Sequence, residues 1–140
     1  MGLDNFAYKR DAIDEDKFKH IHVLTGICAE GPTIRGKYYA PLVEELTGHS
    51  MYEELSESQV VEISEKLCVF AKDFKKAVSD KTDMEGRLET VVVEDEDGKE
   101  VEALQYCLDE GFTYGIDDVI HVAAWFQVVA DEEGHVIAWY

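Results

Sequence analysis

A regular stripe of apolar residues between Glu57 and Val78 constrains the fold more than any other feature of this sequence. Successive members of the stripe are three or four positions apart, which is the spacing of one face of an α-helix. Ser56 or Ser58 suits the N-cap position at its start. The sequence therefore predicts one long amphipathic helix of about six turns over residues 57–78. Its apolar face consists of Val60, Ile63, Leu67, Phe70, Phe74 and Ala77.

Two further helices are predicted on either side of this one. The run VIHVAAWFQVVA is apolar on nearly every face, so the helix predicted over about 116–131 should be central and buried. Gly134 is placed to end it. A short helix is predicted over about 41–47, because Pro41 suits the first helical turn and Gly48 suits the C-terminal stop.

Two apolar runs flank an Asp-Gly pair, which is a strong signal for a β-hairpin. The first run extends from Leu88 to Glu94 and contains three consecutive valines. The second extends from Val101 to Cys107. The second run also has apolar residues at helical spacing, so a helix over residues 101–107 stays open beside the favoured strand.

Further strands are predicted near both ends of the chain. Residues 2–9 are interpreted as an edge strand, residues 11–19 as a loop, and Ile21 to Cys28 as a strand that the Glu30–Thr33 stretch ends. Residues 135–140 are interpreted as a last strand, which either pairs in the sheet or adds to the edge of another chain and makes a homodimer. Because helices and strands do not alternate regularly, the sequence predicts an α+β fold with a small mixed or antiparallel sheet.

The composition is that of a packed globular protein. A chain of this length fits one domain, here residues 1–140, and can bury a core without a metal or a disulfide. Cys28, Cys68 and Cys107 are too few and too scattered for a disulfide framework or a zinc site, so three buried thiols and no cofactor are expected. The sequence has no signal-peptide pattern and no apolar run of the roughly 18 residues that a membrane helix needs. A soluble, cytoplasmic protein is expected.

Negative charge is concentrated in the second part of the chain. The net charge is −18, from 13 Lys and Arg against 31 Asp and Glu. Residues 1–82 hold 11 basic and 15 acidic residues, whereas residues 83–140 hold 2 basic residues, Arg87 and Lys99, and 16 acidic ones. Direct binding of nucleic acid or of a membrane is not expected, because phosphate contacts need Lys and Arg. A basic protein surface or a cation fits this charge better than salt adaptation, which would deplete lysine.

The acidic clusters of this second part are the main candidate site. Those at 131–133 follow the C-terminus of the predicted buried helix, where the helix dipole favours the opposite charge. Concentrated like charge opposes folding but speeds the encounter with a basic partner. A solvated face that aids solubility is the alternative interpretation. The predicted docking residues are Glu94, Asp95, Glu96, Asp97, Glu100, Glu102, Asp109, Glu110, Asp117, Asp118, Asp131, Glu132 and Glu133.

The segment from Gly31 to Lys37 matches the pattern G-x-x-x-x-G-K of a phosphate-binding loop. In such a loop, backbone N–H groups wrap a phosphate, and a Ser or Thr after the lysine holds Mg²⁺. Tyr38 occupies that position here, so a simple Gly-rich turn before a helix is the favoured interpretation. Arg35, Gly36 and Lys37 are the alternative anion-binding residues.

Two histidine patterns are weak candidates for chemistry. His20 and His22 would point to one face of a strand, as metal ligands do, but a site needs further ligands that the sequence does not specify. Asp117 and His121 are four positions apart and would form an acid–base or metal pair on a helix face. Asp117 as a helix cap is the favoured reading. The sequence contains no nucleophile–base motif, so an enzyme is the less favoured class.

Two functions follow from these observations. The first is a small acidic, non-enzymatic binding protein whose C-terminal part docks on a basic partner surface. Its narrowest form is an inhibitor of the kind phages use, in which carboxylates occupy the phosphate positions of a nucleic-acid-binding protein. The second is a small phosphate-, nucleotide- or metal-binding domain or enzyme that uses the Gly31–Lys37 loop or the pair His20 and His22.

Overall fold

The computed structural model of the chain describes residues 4–10, 18–20, 23–24, 29–31, 33–84, 86–109 and 111–139. The helices are α1 (Gly36–Thr47), α2 (Glu57–Asp80) and α3 (Ile116–Asp131). The strands are β1 (Asp4–Arg10), β2 (Phe18–His20), β3 (Val23–Leu24), β4 (Ala29–Gly31), β5 (Thr33–Ile34), β6 (Leu88–Glu94), β7 (Glu100–Cys107), β8 (Thr113–Tyr114) and β9 (His135–Trp139). The described strands pair antiparallel, and the predicted α+β class is confirmed.

The long amphipathic helix is confirmed and is two residues longer than predicted. At its start, Ser56 and Gln59 form a capping box, in which each side chain accepts a hydrogen bond from the other residue's backbone N–H, at 3.3 and 2.9 Å. The predicted apolar face is buried in the core except for Phe70, which is half-buried against it. This face packs chiefly against α3.

The predicted buried helix is also confirmed, with the predicted bounds. Its largest side chains, Trp125 and Phe126, are fully buried and meet edge to face, with ring centroids 5.1 Å apart. Ile120 and Gln127 are exposed, so one narrow side of the helix reaches solvent. Among the described residues, no helix is long and apolar enough to cross a membrane.

Helix α1 begins five residues earlier than the predicted short helix, so the prediction that Pro41 opens it was wrong. The extra residues bury Tyr39 and Ala40 in the core. Their burial offsets the one backbone hydrogen bond that a proline inside a helix cannot donate. Gly48 ends the helix as predicted, with a φ of +78° and its N–H donating to the Glu44 carbonyl at 2.9 Å.

Strand β1 lies in the middle of its sheet, so the prediction of an edge strand over residues 2–9 was wrong. Asn5 pairs with both β5 and β9, and Tyr8 pairs with both β2 and β9, which places β9 on one side and the two shorter strands on the other. Asn5 and Ala7 are fully buried there. The last strand therefore pairs within its own chain, which is the first of the two predicted alternatives.

The predictions for residues 11–34 are partly right and partly wrong. Phe18–His20 forms β2 where a loop was predicted, and residues 11–17 lie outside the described residues. Of the strand predicted from Ile21 to Cys28, only Val23–Leu24 is described, as β3, and it pairs with β4. The predicted break is occupied by β4 and β5, because the backbones of Gly31 and Thr33 pair with β3 and β1.

The two described cysteines differ from the expected buried thiols. Cys68 and Cys107 are both partly exposed, and Cys28 lies outside the described residues. Burial and the Glu89 carboxylate raise the pKa of the Cys107 thiol, whose sulfur lies 3.7 Å from Glu89 Oε2. A raised pKa keeps a thiol protonated at neutral pH, and a protonated thiol is a poor nucleophile.

We expect Glu133→Gly to stabilise the protein by about 1 kcal/mol, because Glu133 holds the left-handed position after α3 with a φ of +57°. The turn is built as a Schellman motif, in which the N–H of Gly134 donates to the Val129 carbonyl and that of Glu133 to the Ala130 carbonyl. Removing the carboxylate from a helix C-terminus adds a few tenths of a kcal/mol. Urea unfolding measures the change.

Glu133→Ala is the matched control, because it removes the same charge but keeps a Cβ in the left-handed conformation. We expect it to give only the few tenths of a kcal/mol that come from the charge. Equal stability of the glycine and alanine variants would show that the backbone conformation at this position is not strained.

Candidate functional site

The hairpin formed by β6 and β7 carries six of the predicted docking residues and is the candidate site. Its register is unbroken from the Leu88–Tyr106 pair at the base to the Glu94–Glu100 pair at the tip. The helical alternative for residues 101–107 is therefore excluded. At about 3.3 Å per residue, the tip lies roughly 20 Å from the base.

A three-residue turn closes the hairpin. The N–H of Gly98 donates to the Asp95 carbonyl at 3.0 Å, and the N–H of Asp95 donates to the Lys99 carbonyl at 2.8 Å. Gly98 has a φ of +78°, which is the conformation that the predicted Asp-Gly pair supplies in this type of turn. The Asp95 carboxylate accepts hydrogen bonds from the N–H groups of Asp97 and Lys99, at 3.0 and 2.9 Å. Asp95 therefore stabilises the turn as well as contributing charge.

One face of the hairpin is turned toward the helices and is here called the inner face. Its side chains change from apolar to acidic between the base and the tip. Near the base it is apolar, and Tyr106 packs against Phe70 of α2 with ring centroids 4.9 Å apart. Because side chains alternate and paired residues share a face, the same face carries acidic residues toward the tip. Its distal members are Val92, Glu94, Glu100 and Glu102.

The opposite face, here called the outer face, shows the reverse order. Near the base it carries the polar pair Glu89 and Gln105, and then Cys107. Toward the tip it carries Val91, Val93, Val101 and Ala103. The amphipathic pattern therefore inverts part-way along the hairpin, and the distal apolar side chains face away from the protein's own core.

The distal half of the hairpin projects into solvent. Val92 on the inner face is 64% exposed, and Val101 on the outer face is 41% exposed. The acidic residues from Glu94 to Glu102 are all exposed as well, with Lys99 as the one cation among them. Val91, Val93 and Ala103 on the outer face are half-buried.

Two carboxylates occupy directly opposite positions at the tip, since Glu94 pairs with Glu100. Like charges in such a pair destabilise a hairpin, and opposite charges stabilise it by roughly 0.2–1 kcal/mol. We expect Glu100→Lys to stabilise the protein by about 0.5–1 kcal/mol, measured by urea unfolding at low salt. Glu100→Gln, which removes repulsion without adding attraction, should give about half of that. A Glu100→Lys variant no more stable than the parent would contradict this account.

Asp109 lies beside the base of the hairpin and not at its tip. Arg87 Nη2 lies 3.5 Å from the Asp109 carboxylate and 3.4 Å from Glu45 of α1. Glu44, Glu45 and Asp109 line a cavity of about 370 Å³ together with Pro41 and Leu108. The charge of Asp109 is thus partly balanced by one of the two cations of residues 83–140. Glu110 lies outside the described residues.

The acidic pair at the start of α3 divides into an exposed and a structural residue. Asp117 is exposed. Asp118 Oδ2 accepts a hydrogen bond from the N–H of Gly115 at 3.0 Å, so Asp118 makes the helix cap that the sequence assigned to Asp117. His121 is buried, with its ring centroid 6.1 Å from that of Tyr39.

The remaining acidic residues, Asp131, Glu132 and Glu133, are exposed at the opposite end of α3. The α3 rise of about 1.5 Å per residue separates them from Asp117 by roughly 20 Å. The predicted docking residues therefore do not form one continuous cluster. The described ones lie at the hairpin tip, around the start of α3 and the hairpin base, and at the end of α3.

The described residues of the predicted phosphate loop belong mainly to two short strands and to the start of a helix. Gly31 belongs to β4 and Thr33–Ile34 belongs to β5, so these three residues are extended. Pro32 lies outside the described residues. Arg35 and Lys37 are exposed at the start of α1, and Gly36 is buried. These three residues thus lie around the N-terminus of a helix, where backbone N–H groups and the helix dipole favour an anion.

The predicted histidine pair is only half described. The backbone of His20 lies in β2, paired with Tyr8, and His22 lies outside the described residues. In the part of the chain that the structure describes, no group of three or more His, Cys, Asp and Glu side chains is arranged to hold a metal ion.

A hydrogen-bonded tyrosine cluster between α1 and α3 is the polar feature that sequence analysis missed. The Tyr38 hydroxyl donates to Asp118 Oδ2 at 2.9 Å, and the Tyr114 hydroxyl donates to the Tyr38 carbonyl at 2.7 Å. Burial and the Asp118 carboxylate raise the pKa of Tyr38 well above its usual value, and burial raises the pKa of Tyr114 to about 12. Both hydroxyls are therefore donors at neutral pH, and the cluster links elements that are about 80 residues apart in sequence.

Comparison of the chain with protein-family models, with curated proteins and with solved structures gave no match.

Proposed function

We propose that this protein is a small, non-enzymatic binding protein whose projecting acidic hairpin docks on a basic surface of a partner protein. The observation that carries the proposal is the distal half of the hairpin. It combines opposed carboxylates on one face with the exposed Val101 and the half-buried Val91 and Val93 on the other, and neither feature contributes to the protein's own core.

The charges at the tip are placed for encounter with a partner. The carboxylates from Glu94 to Glu102 are exposed and lie about 20 Å from the hairpin base. Few of the protein's own groups are therefore near enough to weaken their electric field. A concentrated field of one sign steers a partner of opposite charge and raises the association rate. The acidic groups at the two ends of α3 extend the same negative field. A surface needed only for solubility would not require two glutamates in one cross-strand pair.

The narrower form of the proposal is an inhibitor that mimics nucleic acid. Its target would be a nucleic-acid-binding protein, whose Lys and Arg residues are arranged to neutralise phosphates. Carboxylates of the hairpin would then occupy phosphate positions, and the protein would compete with nucleic acid for that surface.

The experiment is a pull-down from the native host followed by mass spectrometry, performed at low and at high salt. A triple variant, Glu94→Lys, Glu100→Lys and Glu102→Lys, reverses the charge of the inner face at the tip. The matched control, Asp131→Lys, Glu132→Lys and Glu133→Lys, makes the same change in net charge at the end of α3. We expect a partner that the parent and the control capture, and whose capture the hairpin variant reduces at least about tenfold.

Salt provides the second test of the proposal. A complex held by exposed charges weakens as screening increases, so capture by the parent should fall steeply at high salt. Capture that is indifferent to salt, or equal losses in the hairpin variant and in the control, would contradict docking through the hairpin. Displacement of nucleic acid from the captured partner distinguishes the inhibitor from other acidic binding proteins.

A further inference from the structure

Strand β6 has one edge that the described residues leave unpaired. Two hydrogen bonds show which residue pairs of the β6–β7 ladder are the hydrogen-bonded ones. The N–H of Cys107 donates to the Arg87 carbonyl at one end, and the N–H of Asp95 donates to the Lys99 carbonyl at the other, both at 2.8 Å. Bonded pairs recur every second residue in an antiparallel ladder. The odd-numbered residues of β6 therefore bond to β7, and Thr90, Val92 and Glu94 direct their N–H and C=O groups to the other side. The N–H of Leu88, on the same side, already donates to Asp83 Oδ1 at 3.1 Å. Among the described residues, β6 pairs with β7 alone.

The side chains along this edge belong to the distal half of the hairpin, where the inner face is acidic and the outer face is apolar. Val91 and Val93 lie on the outer face, where Val101 and Ala103 enlarge the apolar surface. Val92 and Glu94 lie on the inner face, beside the carboxylates of Glu100 and Glu102. Exposed strand edges normally carry charged side chains, above all lysine, or a proline or a bulge, which prevent pairing with another chain. The segment LETVVVE has no lysine, proline or bulge, and its charged residues are Glu89 and Glu94, which oppose an acidic chain but not a basic one.

We propose that an extended segment of the basic partner adds to the free edge of β6 as a further strand. The proposal rests on the proposed function and specifies how the partner is held. Backbone hydrogen bonds to Thr90, Val92 and Glu94 supply affinity that does not depend on side chains, and the two faces of the hairpin supply selectivity.

The alternation of the strand defines the chemistry of the segment. Side chains of the added strand on the inner face lie beside Thr90, Val92 and Glu94, and near two more carboxylates, so Lys or Arg is complementary there. Side chains on the outer face lie beside Val91 and Val93, so aliphatic residues are complementary there. The segment therefore alternates basic and aliphatic residues.

A second copy of this chain is a poorer occupant of the same edge. Antiparallel pairing of two β6 strands would satisfy the same backbone groups, but each chain carries a net charge of −18 and brings its acidic tip with it. Charge complementarity favours a basic segment, because like charge over a whole surface opposes association.

The probe is a blocked peptide of seven residues, the length of β6, in which lysine and valine alternate. A second peptide has the same composition with the lysines together and the valines together. We expect the parent protein to bind the alternating peptide at least about tenfold more tightly, because only that peptide matches both faces in one strand.

Thr90→Pro is the decisive variant. It removes an N–H that points away from β7, so it leaves the hairpin ladder and every charge intact. Thr90→Ala is its control, because it keeps the N–H. We expect the proline variant alone to bind the alternating peptide about tenfold more weakly, with little change for the block peptide. The melting temperature of each variant shows whether the fold is kept.

Amide hydrogen exchange of the parent provides a readout that needs no variant. Binding of the alternating peptide should slow exchange at the N–H groups of Thr90 and Val92, which are free in the hairpin. Absence of this protection overturns strand addition even if Thr90→Pro does not fold. Unchanged affinity in a folded Thr90→Pro variant also overturns it.

The two proposals fail in distinguishable ways. If the charge-reversed hairpin loses the host partner while the two peptides bind equally, docking through the hairpin stands and strand addition is wrong. If charge reversal has no effect on capture, the proposed function itself is wrong. Self-association of the parent that Thr90→Pro abolishes would assign the edge to a second copy and overturn the basic segment.

Discussion

Replacement of Trp125 by alanine is expected to remove about 3–5 kcal/mol of stability, the range seen when a buried tryptophan or phenylalanine is truncated in a packed core. Trp125 is fully buried in α3 and packs edge to face against Phe126. A protein of this size is stable by only about 5–15 kcal/mol, so the variant should lose a large part of its stability and melt at a much lower temperature. Urea unfolding followed by far-UV circular dichroism measures the effect.

Trp125→Phe should reduce the free energy of unfolding by far less than the loss of indole atoms alone suggests. The Trp125 Nε1–H is buried and has no hydrogen-bond partner among the described residues. An unpaired buried donor costs about 1–3 kcal/mol, and phenylalanine removes that donor while filling much of the space. We therefore expect a net loss below about 1 kcal/mol. Phe126→Leu is the control, because it removes ring atoms and no polar group. A Trp125→Phe variant clearly less stable than this control would show that the indole N–H is paired after all.

Alkaline unfolding is the second large effect, and it originates in the tyrosine cluster. Burial and Asp118 raise the pKa of Tyr38, and burial raises the pKa of Tyr114 to about 12, against about 10 for a tyrosine in an unfolded chain. A raised pKa means that the folded state holds its proton more tightly than the unfolded state. The stabilisation is therefore complete below about pH 10 and is lost as the pH rises above it. Each such tyrosine should cost about 1.4 kcal/mol per pH unit between about pH 10 and 12.

Tyr38→Phe isolates this contribution from the titration of lysines, which also begins near pH 10. At pH 8 the variant should be less stable than the parent by about 1.5–3 kcal/mol, because Asp118 loses a hydrogen-bond donor. Above pH 10 the stability of the variant should fall less steeply than that of the parent. The two slopes should differ by about 1.4 kcal/mol per pH unit, so the two curves converge. Parallel curves from pH 8 to 11.5 would contradict a shifted Tyr38.

Local patterns predicted the long elements well. The spacing of Val60, Ile63 and Leu67 requires a helix whatever the rest of the chain does, and Ser56 supplies its cap. The Asp97-Gly98 pair predicted the hairpin turn in the same way, since only a few residues favour a positive φ. These signals depend on neighbours within one or two turns of chain, so a sequence carries them completely.

The same reasoning was misleading where distant residues decide the outcome. Pro41 is a good first residue of a helix, but burial of Tyr39 and Ala40 by the core extends α1 past it. Residues 2–9 look like an edge strand because their composition is mixed, yet β9, from the other end of the chain, pairs with one side of them. Asp117 and Asp118 are equivalent in sequence, and only the position of Tyr38 and Gly115 makes Asp118 the structural one.

The sequence by itself determined the net charge, its concentration in residues 83–140, the long and the buried helix, and the hairpin, because composition and short-range periodicity are local properties. Only the tertiary structure decided that the acidic residues lie in several separate groups. It also decided that the apolar side chains of the hairpin are on the inner face near the base and on the outer face toward the tip. Glutamate and valine alternate at the start of β7, and β6 has three consecutive valines, but neither pattern states which face meets α2. That choice depends on the packing of Tyr106 against a helix more than 30 residues away. This packing turns the side chains of Val91, Val93 and Val101 to the face of the hairpin that is opposite α2.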